Sequence, residues 1–94
     1  MEFVLICKDK PDHLDTRLAT REAHLGWVAT QGDAIRLAGP LLDDVGATMI
    51  GSLFIIEADD RSAVQAMNAS DPYTQAGLFA DVTIHPFRQV VPAR

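Results

Sequence analysis

Apolar and polar residues alternate between two periods along this chain. Glu2 to Cys7 is a short apolar run closed by the polar Lys8-Asp9-Lys10-Pro11-Asp12, which predicts a strand leaving a sheet through a loop. From about His13 to Gly32 the pattern turns helical. Leu14, Leu18, Leu25 and Val28 recur at three-to-four-residue spacing with Arg21 in the same stripe, and Gly32 supplies a stop. Ile35 to Leu42 predicts a second strand whose Gly39-Pro40 suits an edge position, and Asp43-Asp44-Val45-Gly46-Ala47 supplies a turn. Met49 to Ala58 is the third strand, close enough to the second to imply an antiparallel hairpin.

Asp59 or Asp60 then caps a helix through about Ala69, with Ala63, Val64 and Met67 turned inward. Asp71-Pro72 followed by Gly77 has the form of an N-cap, a first-turn proline and a C-terminal stop, marking one extra helical turn. The last strand falls within Phe79 to Val91, anchored by Val82, Ile84 and Phe87. The resulting order, β-α-β-β-α-β, predicts an α+β fold of the ferredoxin-like kind, two helices covering one face of a four-stranded antiparallel sheet. Val4-Leu5-Ile6 and Leu53-Phe54-Ile55-Ile56 are apolar at successive positions, so both sheet faces need cover. With the helices on one face, the other is expected to meet a second copy of the chain in a homodimer.

Composition narrows the range of functions. A length of 94 residues, 48% hydrophobic and 22% charged, allows one small domain over residues 1–94 with one core. A net charge of −5 with no basic run argues against nucleic acid and anionic membranes as partners. No cationic leader precedes the first strand and no apolar stretch approaches the roughly 20 residues of a membrane span, so a cytoplasmic protein is expected. Cys7, the single cysteine, is expected to be a buried and inert thiol. His13, His24, His85 and Cys7 show no metal-ligand spacing, and there is no Gly-x-Gly-x-x-Gly or phosphate-loop sequence; neither a metal nor a cofactor is expected.

The candidate chemistry lies elsewhere. His24 borders the helical stripe beside Arg17, Arg21 and Val28, where an imidazole can exchange protons near neutral pH or simply pack on Val28. Asp71 suits a helix cap, and its remaining acceptor sites suit an imidazole partner. Tyr73 either offers a phenol to the same cleft or packs as an aromatic. Arg17 and Arg21, one turn apart, suit an anionic or carbonyl-bearing ligand; Arg21, in the apolar stripe, needs a partner, whereas Arg17 suits a solvated charge paired with Asp12 or Glu22. Ser52 reads as a strand residue near a bulge that can line the cleft, and Trp27 projects from the predicted core towards a subunit contact.

Taken together, Arg21-Glu22-Ala23-His24-Leu25, Ala38-Gly39-Pro40, Ile50-Gly51-Ser52, Asp71-Pro72-Tyr73 and Gly77-Leu78, before a closing strand that ends at Pro86-Phe87, resemble the YCII-related (YciI-like) family over nearly the whole chain. The resemblance implies a dimeric α+β barrel and places the family's hallmark His and Asp on His24 and Asp71, which are thought to form an active site. Some relatives are linked to elimination chemistry on hydroxylated, halogenated aromatic rings. The expectation is therefore a small enzyme without cofactor, performing proton transfer, isomerisation or elimination on a small polar organic molecule. His24 would be the general acid/base, oriented by Asp71. Arg21 would hold an anionic oxygen, with Arg17 and Tyr73 at the ligand and Gly39, Pro40 and Ser52 shaping the cleft. The alternatives are a noncatalytic ligand-binding or accessory dimer in which His24 and Asp71 are a structural pair, and an interaction module that uses its sheet face.

Overall fold

The pleat of a strand splits the N-terminal apolar run into two faces. In β1 (Glu2–Asp9), Phe3, Leu5 and Cys7 are buried, whereas Val4 and Ile6 are half-buried on the other side. The computed structural model describes residues 1–94 and continues with α1 (Leu14–Thr30), a 3₁₀ turn at Gly32–Ala34, β2 (Ile35–Leu42), β3 (Met49–Glu57), α2 (Arg61–Ser70), α3 (Pro72–Gln75) and β4 (Phe79–Phe87). The strands form one antiparallel sheet in the order β2-β3-β1-β4, the ferredoxin-like α+β arrangement expected from the pattern. Pro40 lies on β2 at the sheet edge, where its missing N–H costs no ladder bond. No helix is long and apolar enough to cross a membrane.

Each local signal has a visible outcome. Asp60 caps α2 by accepting the Ala63 amide at 2.9 Å, and Asp43 closes the β2–β3 turn by accepting the amides of Ala47 and Thr48. Those backbone donors hold the half-buried Asp43 carboxyl below its ordinary pKa. The core on the helix-covered face comprises Phe3, Leu5, Cys7, Phe54, Ile56 and Val64, with Trp27, Ile35, Met67, Phe79 and Ile84 packed against it. Ala63 lies exposed, so α2 turns Val64 and Met67 inward without it.

Helix α1 departs most from its sequence pattern. Leu18 and Leu25 are 53% and 50% exposed and Leu14 is exposed as well, whereas the buried residues of α1 are Arg17 and His24. The leucine stripe therefore does not face the core. The face that does carries polar heads, each with a partner in the chain, and this satisfaction is what permits their burial. Trp27 likewise turns inward: its Nε1–H donates to Ser70 Oγ at 2.9 Å and its ring stands edge-on to Phe54. It does not project from the core.

The opposite sheet face carries Val4, Ile6, Leu53, Ile55 and Leu37, with Leu37 57% exposed. At one end of that face the C-terminal segment is tied down through Arg94 to Glu2 and through Gln89 to Arg36, which also bonds Glu2.

Gly51 is a test of this geometry. A methyl group there would run into the backbone oxygen of Cys7 on the paired strand, where nothing flexible can yield, whereas one at Gly39 meets nothing within 4 Å. Gly51→Ala should destabilise the fold by about 1–3 kcal/mol or more, and Gly39→Ala by less than about 1 kcal/mol, as read by chemical denaturation. Equal stability of the two variants would contradict the strand pairing.

Candidate functional site

Seven residues apart, Arg17 and His24 lie on one face of α1, separated by about 10.5 Å of helix rise. Both reach the ring of Tyr73. The imidazole stacks on that ring at 4.0 Å between centroids with 16° between planes, and the Arg17 guanidinium carbon sits 4.6 Å from the ring centroid. Tyr73 is held there by α3, whose N-cap is Asp71 and whose chain turns out through Gly77 at φ +73. The proline at the first helical position and the glycine after the last are the sequence's own instructions for this turn.

Asp71 is fully buried, and its Oδ1 accepts two hydrogen bonds, from the Tyr73 amide at 2.9 Å and from His24 Nδ1 at 2.8 Å. A carboxylate only accepts, so Nδ1 carries the proton and a neutral His24 keeps its lone pair on Nε2. The cap and the imidazole bond, which the sequence allowed to coexist on one carboxylate, fall on one and the same oxygen. Trp27 and Phe54 complete the aromatic surround of His24 at 5.9 and 6.0 Å.

Arg17 is only 2% exposed. Its Nε and Nη2 donate to Asp9 at 2.7 and 2.9 Å, and Nη2 also donates to Ser52 Oγ at 2.9 Å. The partner is thus Asp9, not the Asp12 or Glu22 suggested by sequence proximity. Period two carried one step past Cys7 puts Asp9 on the helix-covered side, and that is the signal by which it was detectable. Burial pulls the Arg17 pKa down, but hydrogen bonding to Asp9 and its charge outweigh this and raise it. Burial also raises the Tyr73 phenol, against the nearby positive charge of Arg17.

A cleft of about 270 Å³ opens between α1 and the β2 edge, bordered by Arg17, Arg21, His24, Pro40, Ser52 and Tyr73. Ala38, Gly39, Met49 and Phe54 complete its sheet side. Every candidate site residue except Asp71 therefore borders one space, and Asp71 stands directly behind His24. Arg21 is exposed at the rim, so the two arginines exchange the settings expected from the sequence. A wider hollow by the C-terminal segment is lined by charges that mostly pair with one another, Glu2 with Arg36 and Arg94 and Glu57 with the Met1 amino group. It brings no imidazole to a ligand.

The YCII-related domain model matches residues 1–88. Protein YciI of Escherichia coli O6:H1 is 38% identical over 97 residues, covering 96% of this chain and 99% of that protein. An uncharacterized protein of Haemophilus influenzae is 37% identical over the same shares of both chains. Among solved structures, 5-chloro-2-hydroxyhydroquinone dehydrochlorinase (TftG) from Burkholderia phenoliruptrix AC1100, in complex with 2,5-dihydroxybenzoquinone, superposes with a TM-score of 0.92 at 30% identity and full coverage of both chains.

Cys7 lies in the buried face beside this site, its thiol 3.7 Å from Asn68 Oδ1. Burial, and then the negative charge of Asp71, push the thiol up to about 12 from 9.0. Because the folded value is the higher one, the associated stability is present below pH 9 and is lost as pH climbs towards 12. Native protein at pH 8 should resist thiol alkylation and react fully in denaturant. Cys7→Ala should lose less stability than wild type between those two pH values, and parallel denaturation curves for the two proteins would refute this.

Proposed function

The chain belongs to the YCII-related domain family, and on that premise we propose that it is a small enzyme using His24 for acid/base chemistry on a compact, oxygen-rich organic molecule, with elimination from a hydroxylated ring as the leading reaction class. The observation that carries this reading is the 2.8 Å bond between His24 Nδ1 and Asp71, which leaves Nε2 of a cleft-lining imidazole free to take a proton. The likeness to TftG, a dehydrochlorinase bound to a dihydroxyquinone, supports the substrate class.

Dehydrochlorination removes H⁺ and Cl⁻ and so needs a base and a means of holding the oxygen that is anionic once its proton is taken, until its charge passes through the ring to chloride as the C–Cl bond breaks. His24 fills the first role. Arg17 and Arg21 supply positive charge for the second, Tyr73 backs the imidazole, and Gly39, Pro40 and Ser52 shape the slot. Asp71 fixes the tautomer and orientation of the imidazole through its hydrogen bond. A cytoplasmic location and action as a homodimer belong to the same proposal. The dimer rests on the apolar face formed by Val4, Ile6, Ile55 and Leu37, which no helix of the chain covers.

With 5-chloro-2-hydroxyhydroquinone as the first substrate offered, chloride release by wild type should fall about 10²–10⁴-fold in His24→Ala, with the fold retained but the melting temperature lowered by several degrees or more, because buried Asp71 loses one of its two hydrogen bonds. Asp71→Asn should lower both activity and stability, since it weakens a cap as well as the imidazole bond. Ligand binding without turnover, insensitive to His24→Ala, would favour a noncatalytic binding protein instead. In sedimentation equilibrium the wild type should run at twice the 10.2 kDa chain mass and Leu37→Asp nearer to a single chain; a monomeric wild type would refute the dimer.

A further inference from the structure

The Asp9–Arg17–Ser52 chain contains an asymmetry that His24 and Asp71 do not explain. Arg17 Nε and Nη2 are committed to Asp9 and Ser52, and Nη1 makes no hydrogen bond within 3.5 Å, its guanidinium having the Tyr73 phenol as its only other polar neighbour in the chain. A guanidinium only donates, so Ser52 Oγ is the acceptor in their 2.9 Å bond, and the serine's own proton must be directed to another group. Ser52 donates to no group of the protein, although it is buried, and both it and Arg17 border the cleft. Two donors with no close acceptor thus belong to residues that line the space His24 also borders, with the Tyr73 phenol on the same wall.

Resting on the reading of the cleft as a substrate site, we propose that Arg17 Nη1 and the Ser52 hydroxyl form a two-donor pocket for an ionised oxygen of the substrate, with Asp9 as the positioning residue that aims both. The two-point fork to Asp9 fixes the guanidinium plane. Nη2 then occupies an acceptor site on Ser52, and the hydroxyl becomes a directed donor. Asp9 touches no ligand; it acts through Arg17. Its negative charge also offsets that of Arg17, so the pocket offers two aimed N–H and O–H dipoles more than net charge, and an oxygen that becomes anionic during reaction is stabilised without reorganisation. Arg21, exposed at the rim, is left to attract an anion from solution.

Binding tests this without requiring turnover. Calorimetric titration should compare 2,5-dihydroxybenzoquinone, doubly ionised at neutral pH, with hydroquinone, a six-membered ring of similar size that carries two oxygens and no charge there. Wild type should prefer the dianion. Ser52→Ala and Asp9→Asn should each weaken dianion binding about ten- to hundredfold and hydroquinone binding by a much smaller factor, and Asp9→Glu should recover part of the loss. Ser52→Ala removes one hydrogen bond and should fold normally, so the test stands even if Asp9→Asn is unstable. Unchanged dianion affinity in Ser52→Ala, or equal affinity of wild type for the two probes, overturns the proposal alone. Failure of wild type to bind either probe overturns it together with the substrate reading on which it rests.

Discussion

A single carboxylate oxygen joins the two segments that build the site. Asp71 Oδ1 accepts the Tyr73 amide, starting α3, and accepts His24 Nδ1, docking α1 against that turn. Hydrogen bonds to a charged acceptor are worth about 1.5–3 kcal/mol each, and more is at stake when the acceptor is fully buried. Asp71 Oδ2, also buried, has no partner, so the two bonds at Oδ1 carry the compensation for burying this charge. Without them neither the tautomer of His24 nor the place of the Tyr73 ring would be determined.

Around this joint the polar groups of α1 are paired in a consistent order. Arg17 meets Asp9 and Ser52, His24 meets Asp71, and Trp27 meets Ser70, each about one or two helical turns from the last. Their stems and rings supply apolar cover over Phe54 and Tyr73, and their heads are satisfied. A buried pair such as Asp9–Arg17 adds little net stability over an apolar replacement, but either partner left alone would be a buried charge. Such pairing keeps a set of charged and titratable groups beside a core that would otherwise reject them.

The elements were legible in the sequence because they depend on local periods and caps. The apolar strands, the edge proline, Asp60 before α2 and the Asp71-Pro72 start of α3 all act within a few residues. Their order then selects the sheet topology. His24, Asp71, Arg17, Arg21, Ser52 and Tyr73 could be picked out as chemistry-bearing groups. The meeting of His24 with Asp71 was expected through the family resemblance, whereas the partners of Arg17 and the stacking on Tyr73 were not legible. The leucine stripe of α1 pointed to the wrong face, because periodicity reports where apolar residues repeat and not whether a polar face will find partners. Arg17 and Arg21 exchanged settings for the same reason, and Trp27 turned inward with Arg17.

Local period and composition alone determined the secondary structure, the ferredoxin-like order and the inventory of reactive side chains, since these follow from spacing along the backbone. Only the tertiary structure decided that Asp71 serves a cap and an imidazole at once, that Asp9 holds Arg17, and that Ser52 lies on the floor of their cleft. Those contacts join residues 47, 8 and 35 positions apart. They arise because burial leaves each charged group no alternative partner, and desolvation imposes that condition only once the helix has packed on the sheet.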